Sequence, residues 1–224
     1  MKNMQVFGHR CCRADFPENT VQAATKSSDE VDGIEIDVRR SRDGYPIVFH
    51  DETVDRLTES SGPISDYTYQ ELQDLTIGES EETIPKFGDF VREVPDNLSI
   101  IVEMKSDNLG NLAEFESAVS NDLIWSSFSV SAIETMQRLN PNASFGYFFA
   151  NDPIENIEVA IDLGCDYINA NYELCLDSDL VEYAHAEDIA VNAWTVNSQE
   201  IVEVLESIGI DGVITDYQPE SMPE

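Results

Sequence analysis

Short apolar runs alternate with helix-like segments, such as SAIETMQRL and SQEIVEVLESIG, along most of this chain of 224 residues. A chain of this length can build one sizeable core, so we predict a single domain over residues 1–224. Eight runs are interpreted as parallel strands: MQVFGH, DGIEIDVR, LSIIVEMK, DLIWSSFS, ASFGYFF, CDYINAN, AVNAWTV and DGVITDY. Alternating β and α units with eight strands predict an α/β fold, a (β/α)8 TIM barrel. An open doubly wound sheet is the alternative, although no G-x-G-x-x-G follows any predicted strand.

A ninth extended run, PIVFHD, follows the second predicted strand too closely to belong to the barrel. Only RSRDG and a tyrosine separate the two runs. A parallel crossover needs a dozen residues or more, whereas Asp43-Gly44 suits a hairpin turn. We therefore predict a short antiparallel hairpin excursion after the second strand.

Two local helix signals lie near these strands. NTVQAATKSS is predicted to form a helix with Asn19 as its N-cap and Gln22 three residues later. Further on, SDYTYQELQDL is also helix-like, within an otherwise polar segment.

The charge is strongly acidic, with 45 Asp and Glu against 12 Lys and Arg and a net charge of −33. Such a surface repels itself in dilute buffer, and molar salt screens that repulsion. Composition and scarce lysine therefore favour a halophilic protein over the alternative, a surface that binds cations or a basic partner. Nucleic-acid binding is not expected, because no basic stripe is present.

No apolar run approaches the roughly 20 residues of a membrane span, and the N-terminal MKNMQVFGHR resembles no signal peptide. We therefore expect a cytoplasmic protein without stable membrane insertion. The sequence leaves the oligomeric state open. The cysteines show no zinc spacing and are interpreted as reduced apolar residues, although Cys11 lies beside the candidate site.

Acidic side chains gather where two predicted barrel strands end. Glu35 and Asp37 are two residues apart, so both point to one side of their strand, and Glu103 lies on the next barrel strand. In such barrels the active site lies at the C-terminal ends of the strands. Two inward acids would repel each other without a positive partner, and all-oxygen ligation suits one Mg²⁺ or Ca²⁺ ion.

Groups that move protons and bind anions stand at the same strand ends. His9 and His50 close apolar runs, and the pKa of a histidine lies near working pH, so we predict joint acid–base roles. Arg10 can grip a phosphate oxygen, and Lys105 can place a charge near the metal. Trp194 is predicted to form either plain core or an apolar wall for the alcohol group. The remaining histidine, His185, is interpreted as a helix surface or packing residue.

Together these residues resemble the glycerophosphodiester phosphodiesterase family nearly end to end. The resemblance is carried by GHR, PENT, DGIEIDVRRSRDGYPIVFHDETVDRLT, IVEMK, SSFS, AWTVN and GIDGVITDYQP. It implies a metal-dependent hydrolase that converts a small-molecule glycerophosphodiester to glycerol phosphate and an alcohol, in phospholipid-derived glycerol metabolism. The resemblance also implies that the glycerol 2-hydroxyl attacks phosphorus, giving a cyclic phosphate that water opens. The implied roles are metal ligation by Glu35, Asp37 and Glu103, acid–base chemistry by His9 and His50, phosphate binding by Arg10 and Lys105, and a pocket wall at Trp194.

The chain departs from this family in two places. Cys11 follows His-Arg where the family usually has glycine, which allows positive φ or close approach to phosphate. The region between the hairpin excursion and the Glu103 strand is short, whereas in this family it often contributes an insertion that covers the substrate. Two alternatives stay open. One is a phosphodiesterase that acts on intact lipid headgroups and resembles the phospholipase D toxins of the same superfamily. The other is a catalytically silent barrel that only binds a phosphodiester or a partner.

Overall fold

A computed structural model describes residues 4–107, 109, 112–115 and 119–224. Within these residues the strands are β1 Gln5–His9, β2 Gly33–Arg40, β3 Pro46–Val48, β4 Ser99–Met104, β5 Leu123–Ser127, β6 Ser144–Phe149, β7 Tyr167–Asn171, β8 Ala190–Trp194 and β9 Gly212–Thr215. The helices are α1 Val21–Ser27, α2 Tyr69–Leu72, α3 Phe87–Glu93, α4 Val130–Leu139, α5 Pro153–Leu163, α6 Tyr172–Cys175, α7 Ser178–Ala186 and α8 Gln199–Ser207. Short 3-10 helices span Ile64–Asp66, Leu112–Phe115 and Pro219–Ser221.

Eight of these strands form a closed parallel ring. The order around the ring is β1, β9, β8, β7, β6, β5, β4 and β2, and β2 pairs again with β1. Phe7 stands opposite Gly33 on one side and opposite Ile214 on the other, so the first strand has two parallel neighbours. The predicted (β/α)8 barrel is therefore confirmed, and the open sheet is excluded because it would leave edge strands.

The predicted hairpin excursion is also confirmed. β3 pairs antiparallel with β2 outside the ring, with Val48 opposite Val38. The segment after it folds back over β3 and buries its own apolar cluster, which includes Ile47, Phe49 and Leu72. This second cluster anchors the excursion, and with it the turn that carries His50.

The N-cap of α1 is Thr20, so the prediction of Asn19 is wrong by one residue. The Thr20 hydroxyl accepts a hydrogen bond from the backbone N–H of Ala23. Asn19 instead adopts a left-handed conformation with φ 58°, and its amide donates to Oδ2 of Asp37 at 3.0 Å. Oδ1 of Asn19 also accepts the backbone N–H of Asp37 at 3.3 Å, so this side chain binds β2 and not the end of the helix.

The helix-like segment before α3 is only partly helical. It forms the 3-10 turn at Ile64–Asp66 and the short helix α2. Thr68 and Glu71 cap α2 reciprocally through side chain and backbone. The helix that this capping box starts ends after one turn.

The barrel interior holds an apolar cluster and, beside it, a row of buried polar residues, Ser126, Asn169 and Asn192, that are joined by hydrogen bonds. Inward side chains from five strands pack together at Phe7, Ile101, Ile124, Phe148 and Ile214. The outward faces of the strands pack beneath the helices in a larger cluster. Toward the C-terminal ends of β2 and β4, the buried residues include the acids Glu35, Asp37 and Glu103. Across the described residues, no helix is both long and apolar enough to pass through a membrane.

Candidate active site

Strand register brings the three predicted metal-binding carboxylates together. Asp37 on β2 stands opposite Glu103 on β4, and Glu35 stands opposite His9 on β1. One oxygen from each of Glu35, Asp37 and Glu103 lies within 4.8 Å of the others, and all three residues are buried. Alternation along β2 meanwhile points Ile34, Ile36 and Val38 toward the helices, where they join the main core.

The three buried acids do not share one protonation behaviour. Burial raises the pKa of Glu35 well above its ordinary value, and the charges of Asp37 and Glu103 add to the rise. Burial and the charge of Asp37 likewise raise the pKa of Glu103 to about 7. Burial would raise the pKa of Asp37 too, but Lys105, His50 and Arg10 lower it to about 2. The cluster thus holds one firm anion and two carboxyls whose ionised forms are disfavoured by burial and by neighbouring acids.

The cluster fits a hard divalent cation. Oε1 of Glu35 is buried and accepts no hydrogen bond from any described residue. A buried carboxylate oxygen without a donor is costly unless a cation binds it. Three carboxylates at this spacing are the oxygen ligands that Mg²⁺ and Ca²⁺ prefer.

His9 stands at the C-terminal end of β1, held between the last strand and the second. Its Nδ1 lies 2.6 Å from Oδ1 of Asp216, directly after β9. Its Nε2 lies 3.9 Å from Oε2 of Glu35. An ionised carboxylate only accepts hydrogen bonds, so Asp216 selects the tautomer with its proton on Nδ1. Nε2 is then the nitrogen that can exchange a proton.

His50 reaches the same site from the excursion. Its Nδ1 lies 2.6 Å from Oδ1 of Asp51, and its carbonyl accepts from Nε of Arg39 at 2.6 Å. Burial and the charges of Lys105 and Arg10 lower the pKa of His50, although Asp37 and Asp51 act in the opposite direction. His50 is therefore mainly neutral at pH 7.

The predicted phosphate-binding residues both contact acids of the site. Arg10 donates its backbone N–H to Oε2 of Glu35 at 3.1 Å, and its guanidinium lies 3.2 Å from Glu18 and 3.5 Å from Asp37. Lys105 places Nζ 2.6 Å from Glu103 and 3.0 Å from Asp37. Both cations thus stand beside the carboxylate cluster, where they would meet a bound anion.

The backbone after His9 keeps a glycine-like conformation although it contains no glycine. Arg10, Cys11 and Cys12 have φ of 49°, 65° and 63°. Cys11 therefore adopts the positive φ for which glycine is usual. Its side chain is fully buried in the main core, and burial raises the pKa of its thiol well above the ordinary value. A buried, protonated thiol is a poor target for oxidation.

A cavity of about 320 Å³ opens above the carboxylates and gathers the predicted residues. Every predicted site residue lines it except Asp37, which is fully buried. One wall is aromatic: Trp194 lies 5.5 Å from Phe128 and 6.1 Å from Phe148, between ring centroids. The indole N–H of Trp194 donates to the carbonyl of Asn169 at 2.9 Å, which fixes the ring. Trp194 is thus a cavity wall rather than plain core.

Several residues around the site were not predicted from the sequence. Asp216 accepts two hydrogen bonds from Arg13, at 2.6 and 2.9 Å. Arg56 bridges Asp51 and the buried Glu18. Glu18 lies in the PENT segment, and Asp216 lies near the end of the last predicted strand. Both segments were used to predict the site, so their positions could have drawn attention to these two acids. Two aromatic wall residues, Phe128 and Phe148, were also missed.

The third histidine lies outside this arrangement. Nε2 of His185 lies 2.7 Å from Asp211, and the side chain is 41% exposed on α7. It does not line the cavity of the candidate site. This placement agrees with its interpretation as a helix surface residue.

Comparison with known proteins gives consistent relatives. A model of the Glycerophosphoryl diester phosphodiesterase family matches residues 9–219. A glycerophosphodiester phosphodiesterase of Caldanaerobacter subterraneus subsp. tengcongensis is 28% identical, over 97% of this chain and 95% of that protein. One of Bacillus altitudinis is 26% identical, over 95% and 94%.

Solved structures are similar as well. An Oleispira antarctica phosphodiesterase in complex with the product sn-glycerol-3-phosphate matches with a TM-score of 0.90 and 26% identity, over 96% of this chain and 94% of that chain. A Thermotoga maritima glycerophosphodiester phosphodiesterase matches with a TM-score of 0.83 and 28% identity, over 96% of each chain.

The family match starts at His9 and ends after the last barrel strand, so it includes every predicted site residue. The expectation of a phosphoric diester hydrolase is thereby confirmed at the level of the family. The chain belongs to the glycerophosphoryl diester phosphodiesterase family.

Proposed function

We propose that this protein hydrolyses glycerophosphodiesters to glycerol phosphate and an alcohol, with one bound Mg²⁺ or Ca²⁺ ion. The observation that carries the proposal is the set of side chains that line a single cavity. It is lined by two histidines, two of the three clustered carboxylates and three cationic side chains, Arg10, Arg13 and Lys105. That set can bind a phosphate, hold a hard cation and move protons on both sides of a phosphorus atom.

In this proposal the metal is held by Glu35, Asp37 and Glu103. When bound, a divalent cation offsets charge on a phosphate oxygen and lowers the pKa of a bound hydroxyl. Its charge would also favour the ionised forms of Glu35 and Glu103, whose pKa values are raised.

Arg10 and Lys105 would stabilise the negative charge that grows on the phosphate during reaction. Lys105 is held between Glu103 and Asp37, and Arg10 is held by Glu18. These fixed positions need no rearrangement when the charge develops. The aromatic wall of Trp194, Phe128 and Phe148 would contact the apolar parts of glycerol or of the alcohol.

The two histidines would share the proton transfers. Each has Nδ1 on a carboxylate, at 2.6 Å, and therefore offers Nε2 for exchange. One Nε2 would remove the proton of the attacking oxygen, and the other would protonate the leaving alcohol. The lowered pKa of His50 favours its neutral form at pH 7 and so supports the role of base.

The test is release of glycerol phosphate from a panel of glycerophosphodiesters in multimolar KCl. Parallel reactions contain Mg²⁺, Ca²⁺ or excess EDTA. We expect turnover with a divalent cation and its loss in EDTA. A folded, metal-loaded protein without turnover on any member of the panel would contradict the proposal.

Variants of the three histidines sharpen the same test. His9→Ala and His50→Ala should each lower kcat by a factor on the order of 100 or more, the usual contribution of acid–base catalysis. His185→Ala is the matched control and should keep normal kcat. Near-normal turnover in folded His50→Ala protein would refute its acid–base role.

A further inference from the structure

Each histidine of the site has its Nδ1 within hydrogen-bond distance of an aspartate, and each aspartate accepts hydrogen bonds from an arginine. The two arrays are His9–Asp216–Arg13 and His50–Asp51–Arg56. We propose that Asp216 with Arg13, and Asp51 with Arg56, are positioning residues that hold both imidazoles with Nε2 toward the substrate. This inference rests on the proposed function and adds four residues to it.

Around His9, every oxygen of the aspartate is occupied. Oδ1 of Asp216 accepts from Nδ1 of His9 and from Nε of Arg13, both at 2.6 Å. Oδ2 accepts from Nη2 of Arg13 at 2.9 Å and from the amide of Asn197 at 2.8 Å. A carboxylate held at both oxygens cannot rotate, so the imidazole bonded to it has one orientation.

Around His50 the same pattern is built from other elements. Oδ1 of Asp51 lies 2.6 Å from Nδ1 of His50 and accepts from Nη2 of Arg56 at 3.0 Å. Oδ2 accepts from Nε of Arg56 at 2.6 Å. Arg56 also donates two hydrogen bonds of 2.8 Å to Glu18, which binds Arg10. The second array therefore continues to a predicted phosphate-binding residue.

The arginines keep the aspartates ionised. Hydrogen bonds from His9 and Arg13 hold the pKa of Asp216 well below its ordinary value although burial opposes them. The hydrogen bond from Arg56 does the same for Asp51. An aspartate that stays an anion keeps the proton on Nδ1 of its histidine, so Nε2 alone exchanges protons.

The remaining histidine provides an internal contrast. His185 also binds an aspartate, at 2.7 Å, but through Nε2, and no arginine binds Asp211 within the described part of the chain. Its partner, Asp211, additionally accepts from the backbone N–H of Val191. A histidine–aspartate pair outside the cavity is thus available as a matched control.

The experiment compares Asp51→Asn and Asp216→Asn with the control Asp211→Asn. For the first two, we expect kcat to fall by a factor on the order of 100, with KM changed less than about threefold. Asp211→Asn should keep the wild-type kcat. Asp51 is partly exposed, so Asp51→Asn remains informative if Asp216→Asn does not fold.

A second readout does not depend on activity. Imidazole ¹⁵N NMR of the wild type should show protonated Nδ1 at His9 and His50, and protonated Nε2 at His185. Asp51→Asn should change the tautomer or increase the mobility of His50 alone. Arg56→Gln, which leaves Asp51 bonded to His50, should give a smaller loss of kcat than Asp51→Asn.

Two results would overturn the inference. One is a folded Asp51→Asn protein with kcat within about threefold of Asp211→Asn, since positioning losses are about 10- to 100-fold. The other is a wild-type spectrum with Nε2 protonated at His9 and His50. A wild type without turnover would instead refute the proposed function, while the tautomers would still decide whether the aspartates position the rings.

Discussion

Nζ of Lys105 lies 2.6 Å from Oε1 of Glu103 and 3.0 Å from Oδ1 of Asp37, so one ammonium group joins two of the three clustered carboxylates. Burial opposes its charge, but these acids raise the pKa of Lys105. The lysine is therefore a fixed cation inside the candidate site, placed where it offsets the charge of these acids.

We expect Lys105→Met to lower kcat by a factor on the order of 100, because a preorganised charge near the transferring phosphate is lost. The three carboxylates would lose a competing cation, so Mg²⁺ and Ca²⁺ should bind at least as tightly as in the wild type. Calorimetric titration and steady-state kinetics measure the two effects separately. Lys26→Met, on the outside of α1, is the control. Loss of metal binding with normal kcat would contradict this role.

Stability without metal should depend on pH through Glu103. The pKa of this residue is raised to about 7, so the folded protein holds the proton more tightly than the unfolded chain. Its contribution to the free energy of unfolding is present below pH 4.5 and is lost as pH rises through 7, a change of roughly 1–3 kcal/mol. Urea denaturation in EDTA between pH 4.5 and 7.5 measures the slope.

Glu103→Gln is the matched variant for that experiment, and its stability should fall less steeply across the same range. Saturating Mg²⁺ or Ca²⁺ should reverse the trend in the wild type, because a metal binds the ionised carboxylates. Equal slopes for the wild type and Glu103→Gln in EDTA would show that another group is responsible.

The aromatic wall predicts an effect on substrate binding. Trp194→Ala removes the ring that contacts Phe128 and Phe148, so KM should rise by about tenfold with a smaller change in kcat. Trp194→Phe retains an aromatic surface and should stay close to the wild type. A kcat loss with unchanged KM in Trp194→Ala would assign the indole to the chemical step instead.

Gly8 should tolerate no side chain while Cys12 keeps its thiol. An added Cβ would lie 2.6 Å from Sγ of Cys12 and 3.0 Å from its backbone nitrogen. Gly8→Ala should therefore destabilise the fold by roughly 1–3 kcal/mol, as overpacking does. In a Cys12→Ala background the penalty should be smaller, which a double-mutant cycle of urea denaturation measures. An equal penalty in both backgrounds would identify the backbone contact as the cause.

Salt should stabilise the protein strongly. At −33, repulsion between acids opposes the compact state, and the Debye length shrinks from about 10 Å in 0.1 M salt to about 3 Å in 1 M salt. The unfolding temperature should rise steeply from low salt to multimolar KCl. An unfolding temperature that is flat across this range would remove the basis for a halophilic protein.

The barrel and the central residues of the candidate site could be predicted because apolar runs and their alternation mark the strands and their ends in the sequence. Glu35 and Asp37 alternate with large apolar residues, which fixes the face on which they lie. His9 ends an apolar run, and closure of the ring brings it opposite Glu35. The short interval before PIVFHD likewise decided between a barrel strand and a hairpin.

The ion-pair arrays could not be predicted in the same way. Arg13 and Asp216 lie 203 positions apart, and Arg56 and Glu18 lie 38 apart, on turns without a regular period. With 45 acidic residues in the chain, sequence offers no means to choose the partner of a given arginine. Asn19 shows the same difficulty locally, since its partner Asp37 is distant in sequence and adjacent only in the fold.

The bond between His9 and Asp216 joins the first strand of the ring to the residue after the ninth. A ribosome makes the chain from its N-terminus, so the imidazole is synthesised long before the carboxylate that orients it. Growing chains can contain all three clustered carboxylates and both histidines of the site while His9 still lacks Asp216. The arrangement around His9 is therefore completed only when β9 closes the ring, so the candidate active site is assembled after the last strand has been translated and inserted.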